Sequence, residues 1–451
     1  MLFEEAVNYI MDIPKFGIQT NGRHKTGKDN LLYVMNKLGH PEKNKRIIHI
    51  AGTNGKGSTV QFVKNILCSC GYSVGCFTSP HLVKINERIT TSKLSEDRTK
   101  IDNYDISDDD FLECFLIVKQ AVDESVDEGM LHLSFFEFIF AISAVYFDKC
   151  IVDYIVYETG LGGRLDATNI VEPLVTGITS IGLDHTKYLG ETIEDIAAEK
   201  AGIIKFNVPV IYNTGEASAD KIINEIAISR CAKAINVANS EYLINEFTDK
   251  TIDFSYYTSY YRYENIKLKV GGAKYQVDNA ATAIEICNTL LGCLGGIEED
   301  KIQLAMDNFY WPGRMEMLNK NVILDGAHNT DAIDRFIESV NYEYPNKKIR
   351  LLFAVSGDKD YVPMIEMLCD RLDLIEVYVT SLNSERGISA EYIAALFKHY
   401  TNKKGGIPIK IFSDDNINNT YNAGYKSAVS ADDILFCVGS LYLIGSIKEM
   451  Q

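Results

Sequence analysis

The segment Ile47-Ile48-His49-Ile50-Ala51-Gly52-Thr53-Asn54-Gly55-Lys56-Gly57-Ser58-Thr59 restricts this chain more than any other. An apolar, β-branched run reads as a strand buried on both faces. The glycines directly after it read as a turn into a helix beginning Thr59-Val60-Gln61-Phe62. Glycines let backbone N–H groups close on phosphate oxygens, and the helix N-terminus adds positive potential. Lys56 would reach the terminal phosphates, and Ser58 or Thr59 could ligate Mg²⁺. Gly52, Thr53, Asn54, Gly55, Lys56, Gly57, Ser58 and Thr59 are therefore the candidate nucleotide-triphosphate loop. It departs from a strict GxxxxGK[ST], because the loop is shorter and Gly57 follows the lysine. The bland alternative is a glycine turn with a snorkelling lysine. The loop alone does not name a reaction.

The rest of the chain alternates in the same way, which predicts an α/β fold. Strands are expected at Arg46–Ala51, Val152–Tyr157, Val175–Thr179 and Val208–Tyr212, with helices at Thr59–Cys70, Phe111–Val122, Phe135–Phe147 and Ile193–Ala201. The alternation begins again after residue 311, with strands expected at Val322–Leu324, Ile349–Val355, Ile375–Val379, Ile409–Phe412 and Ile434–Val438. Domains 1–310 and 311–451 are the economical division, meeting at Tyr310-Trp311-Pro312-Gly313, where the lone tryptophan reads as a packing residue. Thr90 to Asp110 reads as a polar surface excursion. Thr248 to Tyr263 holds aromatics among polar residues and reads as an edge hairpin rather than a base-stacking platform.

Of 451 residues, 62 are Asp or Glu and 45 are Lys or Arg, a formal charge of −17. Such acidity argues against general nucleic-acid binding and against docking on anionic membranes, but local donors can still hold an anionic small molecule. The acidic start MLFEEAVNYIMDIPKF is unlike a signal peptide, and the apolar stretch Leu133 to Phe147 is too short to span a bilayer. The ten cysteines form no CxxC pair and read as free thiols, and the eight histidines show no zinc spacing. A soluble, cytoplasmic monomer is expected.

Further residues sit where parallel sheets carry their chemistry. Glu158 ends the run Ile151 to Tyr157, where it could hold Mg²⁺ beside phosphates or simply face water. Thr159-Gly160-Leu161-Gly162-Gly163-Arg164-Leu165-Asp166-Ala167-Thr168-Asn169 then reads as a tight site loop. Asp184-His185-Thr186 could supply an imidazole ligand or a surface residue. Lys200, in Glu199-Lys200-Ala201-Gly202-Ile203, would by itself only complement a helix dipole. Asp325-Gly326-Ala327-His328-Asn329 is either a second site segment or a turn capped by Asp325.

Taken in order, GTNGKGST, Phe77-Thr78-Ser79-Pro80-His81-Leu82, Asn86-Glu87-Arg88-Ile89, ETGLGGRLDATN, DHT, EKAGI, WPGRME and DGAHN make the chain resemble folylpolyglutamate synthase and dihydrofolate synthase of the Mur ligase superfamily. The resemblance implies a P-loop ATPase domain with a parallel sheet, a smaller Rossmann-like α/β C-terminal domain, and an ATP-dependent amide ligase. A folate or dihydropteroate carboxylate would attack the γ-phosphate of ATP, and L-glutamate would attack the resulting acyl phosphate. By the same resemblance, Lys56 and Ser58 bind the ATP phosphates, and Ser58, Ser79, Glu158 and His185 are Mg²⁺ ligands. Lys200 matches a lysine carbamylated in this superfamily, a cation when unmodified and an anionic ligand when carbamylated. Gln276 and Asn279 would contact adenine, Asp325 a ribose hydroxyl, and Arg314 and His328 phosphate. Ser79 and Pro80 would border the substrate, with Arg88 and His328 at the glutamate carboxylate. Catalysis is expected of Lys56, Glu158, His185 and Lys200.

Three departures stand out: Tyr275 replaces the usual histidine, the stretch after Arg88 is long, and Phe140 replaces a small residue near the pterin side. A Mur-type ligase acting on a cell-wall precursor shares some strings, but TSPHL and GLGGRLDATN favour folate. A regulatory P-loop NTPase is disfavoured, since Asn319-Lys320-Asn321-Val322 and Gly357-Asp358-Lys359-Asp360 are not NKxD. The strings do not separate the two folate activities, and a bifunctional enzyme is the expectation.

Overall fold

The computed structural model describes residues 1–14, 28–248, 251–270, 273–292, 295–382, 387–403 and 409–450. Cys293 and the Asp249-Lys250 pair of the aromatic segment lie outside these.

The first sheet contains β1 (Ile47–Ala51), β2 (Val74–Phe77), β3 (Ile89–Leu94), β4 (Ile101–Asp105), β5 (Tyr154–Glu158), β6 (Pro173–Ile178), β7 (Val210–Tyr212) and β8 (Ala234–Asn236). Its order is β4-β3-β2-β5-β1-β6-β7-β8. All neighbours pair in parallel except β2–β3 and β3–β4, which are antiparallel. Every residue of β1 and β5 is buried, as their unbroken apolar runs require of central strands covered on both faces. One face packs against helices Lys56–Ser69, Tyr275–Leu291 and Glu299–Asp307. The other carries Asp108–Asp127 and Phe135–Lys149, with Ile193–Ala201 and Ala217–Ser229 further along.

The expected excursion at Thr90 to Asp110 is instead an edge hairpin of this sheet followed by a helix from Asp108. Ile89, Ser92 and Ile101 turn inward while exposed residues face solvent, so an edge strand's polar side disguised a β pattern. The aromatic segment does form a hairpin, β10 (Ile252–Tyr257) with β11 (Arg262–Leu268), but in a separate three-stranded sheet completed by β9 (Glu241–Phe247). Tyr256, Tyr261 and Tyr263 are buried in the core, which removes base stacking. Their hydroxyls reach Glu285 and Asn288 of helix Tyr275–Leu291.

The remaining strands are β12 (Glu316–Asn319), β13 (Val322–Leu324), β14 (Ile349–Phe353), β15 (Leu374–Val379), β16 (Lys410–Ser413) and β17 (Leu435–Val438). They form a mixed sheet in the order β12-β13-β17-β14-β15-β16, antiparallel only at β12–β13. The fold is thus α/β with a large, mostly parallel sheet and a second mixed one. At the joint, Phe309 stacks on Phe62 with centroids 3.8 Å apart, and Trp311 packs beside them. None of the described helices is long and apolar enough to cross a membrane. None of the nine cysteines among the described residues is in a disulfide.

Candidate active site

Open α/β sheets bind ligands beyond the carboxyl ends of their strands, where neighbouring connections diverge. Here β1 runs into the loop Gly52–Gly55, and the segment after β6 braces it. Thr53 N–H donates to Ser180 O at 2.7 Å, and Thr179 Oγ1 donates to Asn54 O at 2.7 Å. Gly55 has φ +84°, and a Cβ there would fall 2.4 Å from Asn279 Oδ1, so only glycine fits this turn. A Cβ at Gly57 would meet the Trp311 indole at 2.7 Å. The tryptophan therefore packs on the loop helix, and the glycine after the lysine makes room for it. The helix starts at Lys56, earlier than the sequence suggested.

Lys56 Nζ donates to Gly52 O and to Thr53 O, each at 3.1 Å. Lys200 Nζ donates to the same Gly52 O at 2.7 Å and is 3% exposed. Its helix position is therefore not a surface complement to the dipole: its amine belongs to the loop. Burial, reinforced by Lys56, pushes Lys200 down to about 7. Burial also lowers Lys56. Across from them Glu158, the last residue of β5, accepts from Ser79 N–H at 3.1 Å. Burial pushes its carboxyl up to about 7 although Lys56 opposes the shift. Ser79 precedes Pro80 through a cis peptide bond. Arg88 is buried, donates through Nε to His81 Nδ1 at 2.8 Å and lies over the Phe135 ring. Burial lowers it to about 10.

The second sheet reaches into this site. Lys359, in the loop after β14, contacts Asp184 Oδ1 at 2.8 Å, and its Nζ lies 3.4 Å from His185 Nε2. Both members of the Asp184–Lys359 pair are 11% exposed. Burial alone would raise Asp184, but Lys359 and then His185 and His328 hold it well below the usual carboxylate range. Asn329 Nδ2 donates to the other Asp184 oxygen at 3.0 Å, and Asn54 Nδ2 donates to Asp331 Oδ2 at 2.7 Å. His185 has φ 51° and N-caps a short helix at Thr186–Leu189, and burial lowers its imidazole.

Asp325 does not cap the following helix. Asn329 does, accepting from Ala332 N–H. Asp325 instead accepts from Met315 N–H and Ala327 N–H at 2.8 and 2.9 Å, with the Tyr275 hydroxyl at 3.5 Å. His328 Nδ1 lies 2.7 Å from Gly326 O, and burial lowers its imidazole to about 4. A carbonyl can only accept, so Nδ1 carries the proton and Nε2 presents a lone pair.

A cleft of about 420 Å³ is lined by Ser58, Arg314, Asp325 and His328, among others. A second, of about 410 Å³, is lined by Asn213, Asp278, Asn279 and Thr282. The two share Asn54, Gly55, Tyr275 and Arg335. Gln276 lines neither: it is buried and donates to Ser58 Oγ at 3.2 Å, and Asn279 donates to it at 2.9 Å. Thr59 is buried in the helix. Sequence reasoning passed over Lys359, Asp331, Arg335 and Asn213. The position of Lys359 after a β-branched run, and the i,i+4 spacing of Asp331 and Arg335, were the available signals.

Among the described residues no three His, Cys, Asp or Glu side chains form a closed metal cage. Mg²⁺ does not need one, since it keeps waters and takes one or two carboxylates plus substrate phosphates. A buried Glu158 beside the phosphate loop, with the Ser58 and Ser79 hydroxyls and neutral His185, suits that requirement.

Residues 313–441 match the family described as Mur ligase, glutamate ligase domain. The chain is 33% identical, over 99% of its length and 98% of the relative's, to the dihydrofolate synthase/folylpolyglutamate synthase of Bacillus subtilis. Escherichia coli FolC in complex with DHPP and ADP superposes with a TM-score of 0.82 at 26% identity, covering 100% of this chain and 97% of that one. An FPGS–AMPPCP–folate complex superposes with a TM-score of 0.81 at 26% identity, covering 100% and 99%. The chain belongs to the dihydrofolate synthase/folylpolyglutamate synthase family of ATP-dependent ligases.

Proposed function

We propose that this enzyme joins L-glutamate both to dihydropteroate and to tetrahydrofolate, using one site between domains 1–310 and 311–451. Its chemistry is ATP-dependent ligation of glutamate to a folate. A free carboxylate is a poor acyl donor at neutral pH, so its oxygen first attacks the γ-phosphorus, releasing ADP and leaving an acyl phosphate. The glutamate amine then attacks the carbonyl carbon, and phosphate departs with the former carboxylate oxygen.

The observation that carries this reading is the convergence of Lys56 and Lys200 on Gly52 O beside buried Glu158. Lys56 would supply positive charge beside the transferred phosphoryl group. Ser58, Ser79, Glu158 and His185 would hold Mg²⁺, which supplies charge neutralisation across the transferred group when bound with the nucleotide. Lys200, with basicity depressed to about 7 by burial, would present part of its amine in the neutral form, the form that can add carbon dioxide. Arg314 and Asp325 face the cleft where phosphates and ribose would lie. The bare Nε2 of His328 suits an N–H donor such as the glutamate ammonium, while Arg88 suits its carboxylate. Asp184, clamped by Lys359 and Asn329, sets the backbone that carries His185. We further place the enzyme in the cytoplasm, as a monomer.

The test is ADP release by purified protein with ATP, Mg²⁺, glutamate and, separately, dihydropteroate or tetrahydrofolate. Release with each supports both activities. Silence with dihydropteroate restricts the enzyme to chain extension, and silence with both removes the folate reading.

A further inference from the structure

β1 carries one polar side chain, His49, at its centre, and the residue is fully buried. Isoleucine stands on either side of it in the strand. An imidazole in that position costs desolvation that an isoleucine would not, and its Nδ1 has no hydrogen-bond partner among the described residues. Burial lowers the ring to about 3, so it is neutral at physiological pH and serves as no counter-ion. What it makes instead is one bond: Nε2 lies 2.8 Å from Thr168 Oγ1.

Thr168 sets the direction of that bond. Its hydroxyl donates its single proton to Asp166 Oδ1 at 2.5 Å, and its N–H reaches the same oxygen at 3.0 Å. The hydroxyl can therefore only accept from His49, which puts the imidazole proton on Nε2. The other Asp166 oxygen accepts from the N–H groups of Gly160 and Leu161, each at 2.9 Å. A donor in β1 thus orients a hydroxyl, the hydroxyl orients a carboxylate, and the carboxylate fixes the turn that follows Glu158.

The same loop seats Lys200. Arg164 N–H donates to Glu199 O at 2.7 Å, and Asn169 Nδ2 donates to Gly202 O at 3.0 Å. A Cβ on Gly163 would fall 2.7 Å from Lys200 O, so the loop backbone rests directly on the end of the lysine's helix. Lys200 Nζ then returns to Gly52 O, just past the end of the strand that carries His49. We propose that His49 is a positioning residue for the ligase reaction: through Thr168 and Asp166 it holds Glu158 and Lys200 in place beside the phosphate loop. This assignment rests on the roles read above for Glu158 and Lys200. Lys56 stands outside the chain, since its amine bonds carbonyls of its own loop. Damage to the chain should therefore reach the chemical step and spare nucleotide binding.

The test sets kcat of the intact enzyme, with whichever folate substrate supports turnover, beside calorimetric ADP binding. His49→Leu and Thr168→Val each cut the chain while keeping a side chain in the space. Each should lower kcat by about 10- to 100-fold and leave ADP affinity unchanged. Because both break one chain, the double variant should be no slower than the slower single, whereas independent packing effects would multiply. His49→Gln, whose amide can still donate to Thr168, should recover most of the lost kcat. Wild-type kcat in His49→Leu would overturn the proposal. So would ADP affinity falling in step with kcat, multiplied losses in the double variant, or a His49→Gln enzyme as slow as His49→Leu. Circular dichroism confirms folding. If His49→Leu does not fold, Thr168→Val and His49→Gln decide by the same criteria. Full kcat in both Glu158→Gln and Lys200→Met would remove the roles on which the proposal rests, and the proposal with them.

Discussion

The ends of the two sheets meet at one site but contribute to it differently. After β1, β5 and β6 the candidate groups are wholly or partly buried and held by backbone: Lys56 and Lys200 on Gly52 O, Glu158 on Ser79 N–H. After β13 and β14 they are side chains reaching across the joint, Lys359 and Asn329 to Asp184 and Asp331 to Asn54. The first arrangement is pre-formed and carries strained ionisation. The second exists only while the two halves touch. On the function proposed above, phosphoryl chemistry would be prepared on one side and completed from the other.

The largest effect should come from the pre-formed side. Lys56→Ala should lower ADP formation by about 10³-fold or more with unfolding behaviour unchanged, because among the described residues Nζ hydrogen-bonds to carbonyls of its own loop. Ordinary turnover would break the assignment. The reaching side should show a smaller loss. Lys359→Met should cost about 10- to 100-fold in kcat, with Lys359→Arg recovering part of it, since the lysine acts through Asp184 on the segment bearing His185. Equal damage from Arg and Met would show that shape rather than charge matters there.

Ionisation distinguishes the two sides further. Glu158 has its carboxyl raised from 4.5 to about 7, so burying its charged form opposes folding. The stability it lends is present below about pH 4.5 and lost as pH rises through about 7. Glu158→Gln should therefore be catalytically crippled yet more stable than wild type at pH 8 without Mg²⁺, by on the order of 1–3 kcal/mol. That advantage should fade by pH 5, which urea titrations at the two pH values would measure. At the joint itself, Phe62→Ala should cost about 3–5 kcal/mol of stability through the lost stack on Phe309, with less effect on chemistry once folded.

The same contrast explains what could be read from residues alone. β1, β13 and most other strands were legible because buried parallel strands are continuous apolar runs, and the loop groups because they sit in contiguous strings. The β3–β4 hairpin was not, since an edge strand shows polar residues on its open side. Lys200 looked like a helix-end cation because nothing local reveals that its amine enters the core. Lys359 sits in Gly357-Asp358-Lys359-Asp360, which matches no motif, and its partner Asp184 lies 175 positions away in the chain. Asn213 and Arg335 became visible only once the structure placed them in the walls of the clefts.

The most direct measurement uses substrate labelled with ¹⁸O in both oxygens of the carboxylate that accepts glutamate. Attack on the γ-phosphorus followed by amine displacement must carry one labelled oxygen into each phosphate released, and mass spectrometry of that phosphate should show it. Unlabelled phosphate alongside glutamylated product would contradict the acyl-phosphate route, and with it the account of why Lys56, Lys200 and Glu158 converge where they do.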